Sequence, residues 1–209
     1  MSSVKTLVLA SGSPWRKDLL ASTGAVFDVQ TAPVDEYSIT APDPMSLARA
    51  RSEAKALATA EVRSGALVIG ADQVLSLGGR MFDKARSLGE ARERLALMAG
   101  KAHTLHSGLA LAYKPDDRAP ARILAATVVD VAMPMRPLTG DEIEAYLATG
   151  EWQGSVGCYQ YENRGVHLFD GVAGDQSSIV GLPLQTLLKV LRQLGVDLLR
   201  QPTPPWSLI

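Results

Sequence analysis

Within six positions, the run Ser11-Gly12-Ser13-Pro14-Trp15-Arg16 places two hydroxyls, a flexible glycine and a guanidinium directly behind the apolar stretch Leu7-Val8-Leu9-Ala10. If a helix opens there, its unpaired N–H groups and its dipole both favour an anion. Ser11 and Ser13 could donate to phosphate oxygens, and Arg16 could grip a phosphate bidentately. An ordinary capped helix, with Ser13 as cap and Pro14 as first residue, explains the same residues without a ligand. The Walker pattern Gly-x-x-x-x-Gly-Lys-Ser/Thr is absent.

A second candidate is Asp72, which follows the apolar residues 66–69 and so reads as a carboxylate at a strand tip, where α/β sheets bind ligands. Asp35 and Glu36 lie in an acidic turn after another apolar run and could meet it. Paired hard oxygens suit Mg²⁺ or Mn²⁺ bridging to phosphates, and an aspartate beside the metal could take a proton from water. An aspartate capping a turn accounts for the spacing equally simply. Lys55 and Lys84 suit phosphate as compact charges, although single lysines are usually solvated. His103 and His106, three apart in a predicted strand, point to opposite faces and make a poor metal pair. The sequence contains no His-Glu-x-x-His, Cys-x-x-Cys or Gly-x-Ser-x-Gly pattern, and Cys158 reads as a small core residue.

These residues need elements to position them. Residues 6–10, 27–31, 66–69 and 166–169 read as strands, and residues 103–113 and 122–133 as a hairpin across Lys114-Pro115-Asp116-Asp117. Helices are expected from Pro14 to near Gly24 and from Pro44 to about Arg63. Two more follow the capping boxes Ser87–Glu90 and Thr139–Glu142. A last one begins at Pro183, with Leu184, Leu187, Leu188, Leu191 and Leu194 as its buried stripe and Gly195 as its stop. No internal repeat or linker appears, so residues 1–200 read as one domain followed by a Pro-rich tail, 201–209, without a legible pattern.

Composition sets the outer bounds. The chain has 209 residues, and 46% hydrophobic with 21% charged residues describes a globular protein. A formal charge of −1, with Lys and Arg scattered, argues against a nucleic-acid polymer as partner. No stretch approaches the roughly 20 apolar residues of a membrane span. The lone cysteine favours a reducing compartment, so the expected location is cytoplasmic.

Taken together, several motifs in order resemble the Maf family of nucleotide pyrophosphatases, over about Leu7 to Leu194. They are Leu9 to Arg16, Val34-Asp35-Glu36, Gly70-Ala71-Asp72-Gln73-Val74, Lys84, Gly157-Cys158-Tyr159-Gln160-Tyr161-Glu162 and Ile179-Val180-Gly181-Leu182-Pro183-Leu184. The resemblance implies an α/β fold, a mixed twisted sheet flanked by helices around a central cleft. It implies hydrolysis of a nucleoside triphosphate between the α and β phosphates, with a divalent cation, in a homodimer. By position, Asp72 would be the proton acceptor, with Glu36 and Asp72 at the metal. Ser11, Ser13, Arg16, Lys55, Lys84 and Gln160 would line the phosphate site. The family usually shows Glu-Lys-Ala where this chain has Glu53-Ala54-Lys55-Ala56, which leaves the register at Lys55 open.

Many relatives carry Pro-Arg-Arg and Asp-Thr-Val where this chain has Pro14-Trp15-Arg16 and Asp72-Gln73-Val74. These departures resemble the branch acting on 7-methyl-GTP, making Trp15, Gln73 and Glu162 the specificity positions. An indole is a good platform for a cationic methylated guanine, and Glu162 could accept from its N1–H and N2 amine edge. Trp15 could equally be a half-buried helix aromatic. Two other readings stay open: a broader pyrophosphatase accepting dTTP, UTP or modified nucleotides, and a nucleotide-sensing regulator of septum formation.

Overall fold

The structure is a computed structural model describing residues 3–209. Strand β1 (Ser3–Val4) leads into β2 (Thr6–Ala10), whose last four residues are buried. Helix α1 (Pro14–Ala21) follows at once, and β3 (Asp28–Val29) returns beside β2 in parallel. The expected strand at 27–31 is thus cut to an exposed two-residue edge.

Helix α2 (Pro44–Glu61) then leads into β4 (Ala66–Leu77) and β5 (Arg80–Phe82). After α3 (Leu88–Met98) come the long strands β6 (Ala102–Tyr113) and β7 (Arg122–Pro134), the expected hairpin. The sheet order is β3-β2-β4-β6-β7, with β5 beside β4. Its first half is parallel, β2 pairing with β4 as far as Ala10↔Gly70. From β4 onward it is antiparallel, and this mixture is the expected α/β class.

Residue size decides how closely α2 sits on the sheet. Ala48, Ser52, Ala56 and Ala60 recur every fourth position and are fully buried, forming a ridge of small residues. They face Gly70 and Gly108, where an added Cβ would lie 2.2 Å from the Ser52 and Ala48 carbonyl oxygens respectively. Only glycine permits that approach. The other face of the sheet carries Leu7, Leu9, Leu67, Ile69 and Leu111, packed with Leu187 and Leu191 of α6 (Leu184–Gln193).

Helix α4 (Gly140–Leu147) has the full reciprocal capping box expected of Thr139 and Glu142. The box at Ser87 is only half made, because the Glu90 carboxylate accepts from Arg86 N–H instead. Residues 166–169 are not a strand: the chain tightens into a 3₁₀ turn, Arg164–Leu168, and only Phe169 bridges to Met135. The buried Gly165 sets this turn, its Cα packed so closely on Gln160 that a Cβ would lie 2.4 Å from the Gln160 carbonyl oxygen. Helix α5 (Gln176–Val180) is capped by Asp175. The tail ends in β8 (Trp206–Ser207), antiparallel to β1, with Trp206 buried. Among the described residues no helix is long and apolar enough to cross a membrane.

Candidate active site

The parallel part of the sheet stops at Gly70, and the chain beyond it opens onto a cleft of about 610 Å³. That is an ordinary size for a small-molecule site. All eleven of the expected residues line it: Ser11, Ser13, Trp15, Arg16, Glu36, Lys55, Asp72, Gln73, Lys84, Gln160 and Glu162. Asp72 is not at a strand tip, however. It lies in the middle of β4, because β6, on the other side of β4 from β2, keeps pairing with it beyond the end of β2, and Asp72 pairs with Gly108.

Asp72 and Lys55 are both buried, and Lys55 Nζ donates to Asp72 Oδ1 at 2.7 Å. The same ammonium lies 3.0 Å from Glu36 Oε2, so one cation bridges two carboxylates. The close seat of α2 on Gly70 is what brings Lys55 to Asp72. Glu36 opens a short 3₁₀ turn capped by Asp35, whose carboxylate accepts from Tyr37 N–H. Of the two acidic residues in that turn, Asp35 therefore shapes it and Glu36 faces the lysine.

The two carboxylates are pushed apart in acidity. Burial raises the Asp72 pKa, and the Lys55 and Arg16 charges offset this only in part. Burial also acts upward on Glu36, but Lys55, with help from Lys84, more than offsets it and holds Glu36 below the usual range. Such a split gives two neighbouring carboxylates unlike affinities for a proton. Among the described residues Asp72 Oδ2 is buried without a hydrogen-bond partner. An orphaned carboxylate oxygen beside a second carboxylate fits a divalent cation, which commonly takes one or two carboxylates and completes its shell with water and phosphate.

The Ser11–Arg16 turn is both a capped helix and a lined pocket wall. Ser13 Oγ accepts from Arg16 N–H, and Ser11 Oγ accepts from Ser13 N–H and Arg16 Nη1. Acting as acceptors within the turn, both hydroxyls keep their own protons for a ligand. Arg16 is less available than its spacing suggests. Its Nε donates to Gly181 O at 2.8 Å and its Nη1 to Ala71 O at 3.0 Å, stitching α1 to α5 and β4.

The opposite wall is residues 154–162. Its course depends on Gly157, where a Cβ would meet the Tyr159 ring at 2.5 Å, and on Cys158 in the left-handed region. Tyr159 is anchored below by a 2.7 Å hydrogen bond to His103 Nε2, and Tyr161 packs edge-on against Phe169. Gln160 and Glu162 are thereby held at the rim, with Gln160 N–H donating to Tyr146 Oη. Burial raises the Glu162 pKa, as does Glu151. Gln73 uses its amide nitrogen on Ser107 Oγ and the carbonyls of Ser178 and Ile179. Trp15 is half-buried on this cleft but belongs to none of the apolar clusters, whereas Trp152 and Trp206 do.

Two charged cleft residues escaped the sequence reading, Arg51 and Asp83. The signal for Arg51 was its position one turn before Lys55 on the same helix face. Asp83, next to Lys84, had none.

Residues 6–194 match the profile of a family described as Maf-like protein. A protein of Rhizobium meliloti named 7-methyl-GTP pyrophosphatase is 39% identical over 90% of this chain and 96% of its own. One of Rhodopseudomonas palustris named nucleoside triphosphate pyrophosphatase is 44% identical, covering 90% and 93%. One of Moorella thermoacetica named dTTP/UTP pyrophosphatase is 39% identical, covering 91% and 96%.

Proposed function

The chain belongs to the Maf-like protein family, and on that premise we propose that it hydrolyses nucleoside triphosphates between the α and β phosphates, releasing a monophosphate and pyrophosphate. The observation that carries this reading is the buried Lys55 bridging Asp72 and Glu36 at the floor of the cleft. Asp72, with its raised pKa, accepts the proton of the attacking water as the bond to phosphorus forms. Lys55 holds the Asp72 carboxylate in place and adds positive charge where the polyphosphate lies. Glu36 and Asp72 would hold a divalent cation, Mg²⁺ or Mn²⁺, which when bound neutralises phosphate charge and polarises the scissile anhydride.

The cleft is lined by two unlike sets of residues, which gives the substrate a direction. Arg51, Lys55 and Lys84 come from α2 and the loop after β5, while Trp15 comes from the start of α1 and Tyr161 and Glu162 from the segment 154–162. The polyphosphate goes to the cationic set and the base to the aromatic one. Trp15 has no apolar cluster to fill, so its indole serves the base, and a cationic 7-methylguanine is the base it favours. Glu162 would accept from the guanine N1–H and N2 amine edge. A wider range that includes dTTP and UTP has support too, since the dTTP/UTP pyrophosphatase of Moorella thermoacetica is as similar as the 7-methyl-GTP relative. We place the protein in the cytoplasm as a homodimer, in keeping with the single cysteine and the Maf resemblance.

The test is pyrophosphate release from 7-methyl-GTP, GTP, dTTP and UTP, with Mg²⁺, with Mn²⁺ and with chelator. Metal-dependent release, fastest from 7-methyl-GTP, is expected. Binding without turnover on every nucleotide would leave a sensor instead of an enzyme.

A further inference from the structure

Among the described residues four cationic side chains line the cleft, and they differ in how much of their charge is already engaged. Arg16 donates to two backbone carbonyls, and Lys55 is held between two carboxylates. Lys84 is exposed and has no hydrogen-bond partner among the described residues. Arg51 is unlike all three. Its side chain is only 10% exposed, its one partner among the described residues is Asp83 Oδ1 at 3.3 Å, and its Nε is buried with no acceptor among them. An unpaired donor on a charged, desolvated group carries a penalty that folding ordinarily avoids. Asp83 offers poor compensation, being 54% exposed and making a single long contact.

We propose that Arg51 is a binding residue for the terminal phosphate of the substrate, and for the pyrophosphate before it leaves. This rests on the pyrophosphatase reading above. Arg51 stands one helical turn before Lys55 on α2, so a polyphosphate that starts at Asp72 and runs toward Lys84 passes its guanidinium. The planar fork suits phosphate oxygens, and water is largely excluded around it. Asp83 is then a placeholder: its carboxylate occupies the fork in the free protein and is displaced by phosphate. The consequence is selection by length, because a monophosphate reaches Lys55 and not Arg51.

Calorimetry on the full chain with inorganic pyrophosphate and with GMP as separate titrants tests this without any turnover. Arg51→Met should weaken pyrophosphate binding about tenfold while GMP stays within about twofold. Arg51→Lys, keeping the charge and losing the fork, should fall between. Asp83→Asn should tighten pyrophosphate binding and leave GMP unchanged. Unaltered pyrophosphate affinity in Arg51→Met, or equal losses for both titrants, would overturn the proposal. If Arg51→Met does not fold, Asp83→Asn decides: tighter pyrophosphate binding supports the displacement, and weaker or unchanged binding refutes it. The two readings fail separately. A wild type that turns over no triphosphate yet binds pyrophosphate through Arg51 loses the activity and keeps the site. Turnover with pyrophosphate binding indifferent to Arg51 does the reverse.

Discussion

Substituting Gly70 by alanine tests whether the seat of α2 on the sheet sets the geometry of the Lys55–Asp72 pair. The added Cβ would lie 2.2 Å from Ser52 O, 2.8 Å from Ala56 N and 2.9 Å from Ala56 Cβ. The first two of these atoms are helix backbone, so no side chain can swing aside. Restoring an ordinary 3.4 Å contact requires α2 to move by about 1.2 Å, the difference between those two distances. Lys55 sits within the segment that must shift, and its Nζ is 2.7 Å from Asp72 Oδ1. Overpacking of this kind costs about 1–3 kcal/mol, against which the stiffer unfolded chain returns up to about 1 kcal/mol. A net loss of about 1–2 kcal/mol lowers Tm by roughly 2–8 °C in a chain of this size. A displacement near 1 Å at a catalytic group costs on the order of 10²-fold in rate. Thermal melts and pyrophosphate release should therefore both fall, with Gly171→Ala, where nothing lies within 4 Å, as the control. Identical melts and rates for the two variants would refute the claim that the helix–sheet approach positions the lysine.

Three further outcomes follow from the same geometry. Trp15→Arg should lower kcat/KM for 7-methyl-GTP selectively, because a guanidinium repels the cationic base; an unchanged ratio to UTP would reduce Trp15 to packing. Lys55→Met leaves the Asp72 carboxylate buried without its cation, and urea melts should show a loss of about 3–5 kcal/mol; a loss under about 1 kcal/mol would mean the pair is relaxed elsewhere. His103 is 1% exposed, and burial lowers its pKa to about 4. The unfolded chain takes up that proton first, so stability should fall as pH drops from about 6.5 toward 4 and stop falling below it. The contribution is about 3 kcal/mol in all, with roughly 1.5 kcal/mol of it between pH 6.5 and 5. His103→Leu should flatten that interval in urea melts, and an equal slope in both proteins would assign it to other groups.

How far the site could be read from sequence differs residue by residue. Ser13 and Pro14 announced a helix start because capping is local chemistry, and the structure places the cap there. Gly70, Asp72 and the hairpin strands were legible as types, but the length of β4 was not. That strand continues past Asp72 because β6, whose paired residues lie more than thirty positions later in the chain, runs beside it and β5 folds back on its end. Residues 166–169 have a strand's composition, yet the contact between Gly165 and Gln160 turns them into a 3₁₀ segment, which no local pattern reveals. The spacing of Arg16 suggested a phosphate fork. Its engagement by Gly181 and Ala71 depends on the end of α5 and on β4, both distant in sequence. The same holds for Trp206, buried through the pairing of β8 with β1, although its Pro-rich surroundings carried no pattern.

In the proposed reaction, water attacks the α phosphorus and Asp72 accepts its proton. Hydrolysis of 7-methyl-GTP in ¹⁸O-labelled water, by the wild type and by Asp72→Asn, tests it most directly. The label should enter the monophosphate and leave the pyrophosphate unlabelled, and Asp72→Asn should lower the rate by about 10²–10⁴-fold, the usual contribution of a positioned base. Label in the pyrophosphate, release of orthophosphate, or an undiminished rate in Asp72→Asn would contradict it.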